Sequence, residues 1–373
     1  MHIESLKTFL IGKWCLLEIQ TNTGLVGVGE GGVHGLPQSV KATLDSLEKF
    51  LVGKNPMEIE HIWQTIYRFA HFRGAVITSA ISAIDIALWD IKAKYFQVPI
   101  YELIGGKTRN KTRLYMHING KTIDDLCNEA KKAMSKGFTA VRFETTPDEY
   151  YNLNVDDKLT QSAERVAAVR ETVGNDIDVC VEIHRRFSIP ETVTFANMIQ
   201  QYRPFFLEDP IIPDSLESMA SLVNRINIPV ATGERFHTIY EFRELLQMRG
   251  ADYIRPDLCL AGGITNCKKI AAIAESFNIG VIPHNPLSPI STAACVQLDA
   301  SIPNFILQEY MGEAEPPKNK MVKAPLVLEN GYLIVPETPG LGIELNKEYL
   351  LKHESAPPEI TTPMAPDGSV VDW

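Results

Sequence analysis

Glu182, Glu208, Glu234, Asp257, His284 and Glu309 recur down the second half of the chain at steps of 26, 26, 23, 27 and 25 residues. Several close a short apolar run: Val179-Cys180-Val181 precedes Glu182, Phe205-Phe206-Leu207 precedes Glu208, and Phe305-Ile306-Leu307 comes shortly before Glu309. Three carboxylates followed by an Asp, a His and another Glu are the groups that hold a hard cation and move a proton beside it. Glu182, Glu208 and Glu234 are the expected ligands of Mg2+, which takes about six oxygens at about 2.0–2.1 Å and leaves room for water and substrate. Zinc suits the set less, because no cysteine or multi-histidine group accompanies the glutamates. His284 and Asp257 are expected to form a dyad. A carboxylate on one ring nitrogen fixes the tautomer and raises the basicity of the other, which suits a general base. Glu309 is expected opposite the metal, as hydrogen-bond donor or acid. His184 lies two residues past Glu182 and so faces the same side of an extended strand. It could be a ligand, and the reading preferred here is a proton donor at the edge of the site.

An interval of about 25 residues, with a strand-like run at each step and an amphipathic stretch between, is the period of a β/α barrel unit. Strand candidates are 113–118, 139–144, 178–182, 204–208, 228–232, 252–255, 279–282 and 305–308; helices are expected between them, as at 123–136, 158–173 and 264–277. The fold class is therefore α/β, a (β/α)7β-type TIM barrel over 111–310, with polar strand ends converging on one pocket. Residues 1–110 read as an α+β cap: a hairpin over 13–33 turning at Asn22-Thr23-Gly24, then helices at 38–52, 57–70 and 76–95. Ala80, Ile84, Ala87 and Ile91 share one face of the last helix, and Gly105-Gly106-Lys107 marks the boundary. From 311 to 373 proline-rich connectors (PPKNK, PETPG, APPEITTPMAPDG) are expected to wrap back onto the cap.

Gly27-Val28-Gly29-Glu30-Gly31-Gly32 matches the dinucleotide pattern G-x-G-x-x-G, but a hairpin precedes it and V-H-G-L-P follows, so no helix should open there. A mobile loop over the barrel mouth is the expectation instead. The loops 20–36 and 68–76, with His34 and Arg73, would then meet the substrate. Arg142 and Glu144 end the second barrel strand on one face; they would bind a substrate carboxylate or hydroxyl, or pair with the metal ligands.

Of the 373 residues, 45% are hydrophobic and 22% charged, as in ordinary globular proteins. A net charge of −10 with no basic run excludes a nucleic-acid partner. No apolar run of membrane-spanning length occurs, and MHIESLKTFLIGKWC lacks a signal-peptide apolar region. The six scattered cysteines, without CxxC spacing, read as core residues of a reduced protein, so the cytoplasm is the expected location. The expected partner is a small acid substrate, with self-assembly into a dimer or octamer.

With these motifs in view the chain resembles the enolase superfamily, mandelate racemase-like branch, and within it the acid-sugar dehydratases. In the cap, SAISAIDIALWDIKAKYFQVPIYELIGGK is similar to that branch's long helix and closing glycines. In the barrel, VEIHRRF, FFLEDPI, PVATGERF, RPDLCLAGGIT and IPHNPLSPI resemble its strand-end motifs, while LQEYMG, PGLGIE and DGSVVDW resemble mannonate dehydratases. The resemblance implies Mg2+-dependent loss of water from a sugar acid, an aldonate such as gluconate or galactonate. The product would be a 2-keto-3-deoxy acid, formed by C2 proton abstraction through a metal-stabilised enediolate. It implies that His284 with Asp257 takes the C2 proton, His184 protonates the departing 3-hydroxyl, and Glu309 bonds the substrate carboxylate. Two positions depart from the pattern. Glu182 stands where the first ligand is more often Asp, and Arg142-Phe143-Glu144 replaces the K-x-K of racemases, so their second base is missing. A mannonate-type route through Arg142 with Tyr150 or Tyr151, and a catalytically weak barrel with a regulatory or binding role, are the alternatives.

Overall fold

A computed structural model describes residues 1–356, 359 and 362–372. Parts of the connector APPEITTPMAPDG, and Trp373 of DGSVVDW, lie outside the described residues. The chain opens with an antiparallel meander, β1 (Ile3–Ile11), β2 (Trp14–Thr21) and β3 (Val26–Gly31), in that spatial order. Four helices follow: α1 (Pro37–Leu51), α2 (Ile59–Phe69), α3 (Ala75–Phe96) and the short α4 (Ile100–Leu103). β1 was not among the expected elements. α3 is apolar around most of its circumference and is correspondingly buried, with β3 on one side and the barrel on another.

The glycine-rich run is not a mobile loop. Gly27, Gly29 and Gly31 lie in β3, every second residue facing α3. A Cβ on Gly29 would stand 2.0 Å from the Ala83 carbonyl oxygen, and one on Gly27 2.1 Å from that of Ala87. Glycine is required because strand and helix backbones touch. No helix opens at Gly32, so the dinucleotide reading fails on structure as well.

The barrel alternates strand and helix: β4 (Lys111–His117), α5 (Ile123–Ser135), β5 (Ala140–Glu144), α6 (Val155–Val173), β6 (Asp178–Glu182), α7 (Ile189–Ile199), β7 (Phe206–Glu208) and α8 (Leu216–Val223). It continues through β8 (Val230–Thr232), α9 (Ile239–Gln247), β9 (Tyr253–Ile254), α10 (Gly263–Ser276), β10 (Gly280–Val281), α11 (Pro289–Ser301) and β11 (Gln308–Tyr310). Neighbours pair in parallel, β11 pairs with β4, and a bridge from Val281 to Phe305 joins β10 to the segment leading into β11. Strands β4 to β11 with helices α5 to α11 make the (β/α)7β barrel. Helix starts follow local chemistry: Thr122 and Ser188 form capping boxes with Asp125 and Glu191. Inside, Tyr115, Ala140, Cys180, Phe206, Ala231, Ile282 and Leu307 form an apolar layer below the strand ends.

The C-terminal segment does more than cover the cap. A hairpin of β12 (Leu328–Glu329) and β13 (Tyr332–Ile334) pairs antiparallel with β4 of the barrel. α12 (Lys347–Lys352) then packs on the cap, where Lys347 pairs with Glu18 and Ser355 bridges to Ile11. Asp372 reaches the barrel mouth, 3.8 Å from Arg185 and 3.5 Å from Arg235. Among the described residues no helix is long and apolar enough to cross a membrane.

Candidate active site

Parallel register sets Glu144, Glu182 and Glu208 side by side at the C-terminal ends of β5, β6 and β7. Glu234 follows β8 by two residues, beyond Gly233, whose φ of 124° turns the chain. Side chains of alternate residues point inward, so Arg142 enters the same space. Its guanidinium bridges Glu182 and Glu208, with Nε 3.2 Å from Glu208 Oε2. Arg255, fully buried, donates to Glu208 and Glu309 at 2.8 Å each and to the Tyr115 hydroxyl at 2.8 Å. Arg185 joins Glu234 at 2.9 Å and Asp209 at 3.0 Å.

Carboxylates outnumber these cations. Burial, then the Glu208 charge, push the Glu182 carboxyl well above its ordinary range despite Arg142. Glu234 goes the other way, to about 2: burial opposes, but the His284 and Arg185 charges prevail. Among the described residues no three carboxylate, thiol or imidazole groups close around one point, because guanidinium groups stand between the glutamates. The donor set still fits a hard divalent cation: three oxygen-only carboxylates at the strand ends, with Glu182 pushed up by burial and then by the Glu208 charge.

Asp257 and His284 meet as expected. A parallel bridge aligns their backbones, and His284 Nδ1 lies 2.9 Å from Asp257 Oδ2, with Nε2 3.4 Å from Glu234 Oε2. The other Asp257 oxygen accepts from the Cys259 N–H at 2.7 Å, which fixes the carboxylate plane. Burial alone would depress the imidazole, but the Glu234 and Glu309 charges and Asp257 raise it to about 9.

His184 sits across the site in a left-handed turn, φ 51°, rather than on a continuing strand. Its N–H donates to Glu182 at 2.5 Å; Nδ1 is 3.2 Å from Glu144 and Nε2 3.7 Å from Glu182. Burial and the Arg142 charge hold its imidazole down at about 4. Glu309 pairs with Arg255 and with His117. Against burial, His284, Arg255 and His117 hold it well below the ordinary range, and it accepts from the Asn285 N–H at 2.8 Å. An ionised carboxylate in that position accepts hydrogen bonds, as it does here from Asn285, Arg255 and His117.

The remaining expected residues divide. Glu144 contacts His184, Thr146 and Arg186. His34 follows β3, and its imidazole is lowered by burial first and then by charges that include Lys13, Arg185 and His284, among the site's own groups. Arg73 is exposed on the cap, its guanidinium 4.3 Å from the Tyr67 ring. Tyr150 donates to the Asp372 carbonyl and packs on Arg186, so Arg142 is partnered by glutamates rather than by a tyrosine.

Five residues of the site were missed: His117, Arg185, Asp209, Arg255 and Asp372. His117 Nε2 lies 2.7 Å from Glu309, and it ends β4 as Glu144 ends β5, so the strand-end rule would have found it. Asp209 and Arg255 adjoin residues already singled out, in E-D-P and R-P-D. Nothing local marks Asp372.

Two family models cover most of the chain: the mandelate racemase/muconate lactonizing enzyme N-terminal domain over residues 3–105, and the enolase C-terminal domain-like model over 125–349. The protein belongs to this family. D-galactonate dehydratases of Ralstonia pickettii and Pectobacterium atrosepticum are 35% and 34% identical to it, with both chains covered in full. An enolase from Agrobacterium radiobacter, described as a candidate galactarate dehydratase and holding sodium and L-malate, superposes with a TM-score of 0.94 at 30% identity over the whole of both chains. A protein of Salmonella enterica serovar Typhimurium described as a candidate dehydratase superposes at 0.90 with 33% identity, over 95% of this chain and 98% of its own.

Proposed function

We propose that the protein is a Mg2+-dependent dehydratase of an aldonate such as galactonate or gluconate, yielding the 2-keto-3-deoxy acid. The observation that carries the reading is the pair of histidines facing one carboxylate cluster: His284 backed by Asp257, and His184 beside Glu182. Glu182, Glu208 and Glu234 are the proposed ligands. Bound Mg2+ would supply positive charge to the substrate carboxylate and offset the Glu234 charge that otherwise keeps His284 protonated. His284 then takes the C2 proton at Nε2, while Asp257 holds Nδ1–H and so the tautomer. His184, held down at about 4 by burial and the Arg142 charge, must first take up a proton, which it then delivers to the 3-hydroxyl, a poor leaving group otherwise. The C3–O bond breaks, water departs, and the resulting enol tautomerises to the keto acid. Arg142, Glu144, His34 and Arg73 are proposed substrate contacts. The pairing of Arg142 with glutamates and of Tyr150 with Asp372 favours the dyad over an arginine–tyrosine route.

The test is a panel of aldonates and aldarates incubated with enzyme and Mg2+, scored for 2-keto acid. Galactonate or gluconate should react, and chelation of the metal should stop it. No keto acid from any member of the panel would reject the proposal.

A further inference from the structure

The end of β3 touches both loops that carry the dyad. Glu30 is fully buried, and its Oε2 accepts from the Ser288 hydroxyl at 2.6 Å, the Ser288 N–H at 3.3 Å and the Ser291 N–H at 3.1 Å. Two residues on, the Gly32 N–H donates to the Cys259 carbonyl at 3.0 Å. A Cβ on Gly32 would stand 2.3 Å from Leu287 Cδ1 and 3.3 Å from Cys259 Cβ, so the strand end is wedged between the two loops. Cys259 is the residue whose N–H orients the Asp257 carboxylate. Ser288 is four residues past His284, across Asn285-Pro286-Leu287.

That connection is short and stiff. Pro286 fixes one φ, the Asn285 N–H is tied to Glu309 at 2.8 Å, and the Asn285 side chain donates to Thr292 at 2.7 Å. Ser288 in turn caps α11, its hydroxyl accepting from the Ile290 N–H at 3.1 Å. A shift of Ser288 therefore reaches His284 with few torsions to absorb it. On the other side, a shift of Cys259 turns Asp257.

We infer that Glu30 and Gly32 are positioning residues by which the cap sets the mutual placement of Asp257 and His284. The dyad's geometry is then a property of the cap–barrel seam and not of the barrel alone. For its catalytic consequence this rests on the dehydratase reading above, but its structural content does not. A base misplaced by a few tenths of an ångström slows proton abstraction without touching the substrate's own contacts.

The experiment uses the full-length chain with 15N-labelled histidine, in the wild type, Glu30→Gln and Ser288→Ala. Ser288→Ala removes the partner from the barrel side and keeps the test open should Glu30→Gln fold poorly. The His284 imidazole signal, assigned by its loss in His284→Asn, should shift in Ser288→Ala and Glu30→Gln while the His184 and His117 signals hold. With an aldonate that turns over, kcat should fall about 5- to 50-fold with KM changed less than twofold, and the C2 deuterium isotope effect on kcat should rise. A role confined to stability would lower the melting temperature and leave both the His284 signal and the isotope effect of the folded fraction unchanged. That result would overturn the inference. A wild type inert on every aldonate would reject the dehydratase reading, while the imidazole signals would still decide the clamp.

Discussion

Glu208 shows how tightly the site's charges are bound to one another. It is fully buried and meets Arg142 and Arg255 together. Glu208→Gln should abolish keto-acid formation and weaken Mg2+ binding by calorimetry. Because two buried guanidinium groups lose a counter-charge, it should also cost roughly 3–5 kcal/mol in a denaturant titration. Full activity of that variant in metal-free buffer would end the ligand assignment. The two histidines should separate by function. His284→Asn should lose exchange of the C2 proton with solvent deuterium as well as product. His184→Asn should keep the exchange and form little keto acid, since the carbanion still forms but the 3-hydroxyl is not protonated. Asp257→Asn should slow both steps less than His284→Asn, having disturbed tautomer and basicity without deleting the base. Deuterium uptake and keto-acid yield measured on one sample decide among these outcomes. Parallel loss of both in His184→Asn would instead assign that side chain to holding Glu182, whose Oε2 lies 3.7 Å from its Nε2.

Elements bring those residues together through contacts that a one-dimensional pattern expresses unequally. The barrel was legible because its strand ends repeat near 25 residues and several of the Glu residues close an apolar run. The helices of the cap were legible from their apolar spacing. β3 was legible as the second strand of the hairpin over 13–33, but its glycines were misread as a mobile loop, although their meaning lies in α3: Ser79, Ala83 and Ala87 form a matching row of small residues at i, i+4, i+8. Gly29→Ala should therefore cost roughly 2–4 kcal/mol in unfolding free energy, since its Cβ would overlap the Ala83 carbonyl and neither backbone can yield alone. Gly24→Ala, at φ 83° in an open turn with nothing near its Cβ, should cost only about 1 kcal/mol. Equal losses for the two would refute the close-packing account. Arg142 was legible as a site residue with two roles open, and pairing with Glu182 and Glu208 depends on which carboxylates the register places beside it. The Asp372 contact was not legible at all: it depends on the path of the whole C-terminal segment.

At the scale of the molecule, cap and barrel are joined by buried polar groups whose ionisation opposes folding. Asp85 of α3 accepts from the Thr265 N–H at 3.0 Å, at the start of α10, and Ser82 accepts from the Gly262 N–H at 2.8 Å. Trp63 and Trp89 donate across the same seam to the Gly262 carbonyl and the Thr265 hydroxyl, each at 2.8 Å. Burial outweighs these bonds for Asp85 and lifts its carboxyl to about 7; its second oxygen has no partner. Glu30 is lifted to about 7 as well, again by burial. The unfolded chain loses these protons near pH 4, whereas the folded chain keeps them to near pH 7. Across that window the native state binds more protons than the unfolded one, so stability falls as pH rises, by about 1.4 kcal/mol per pH unit for each such group. The stabilisation is complete below pH 4 and gone above pH 7. Asp85→Asn is neutral at every pH, keeps an oxygen for Thr265, and should remove its share of the slope, on the order of a few kcal/mol. Unfolding midpoints in urea from pH 4.5 to 8 would read this as a flatter curve for Asp85→Asn, with the variant gaining on the wild type as pH rises. Curves that stay parallel across the window would show that Asp85 is ionised in the folded protein and that the seam is held by charge after all.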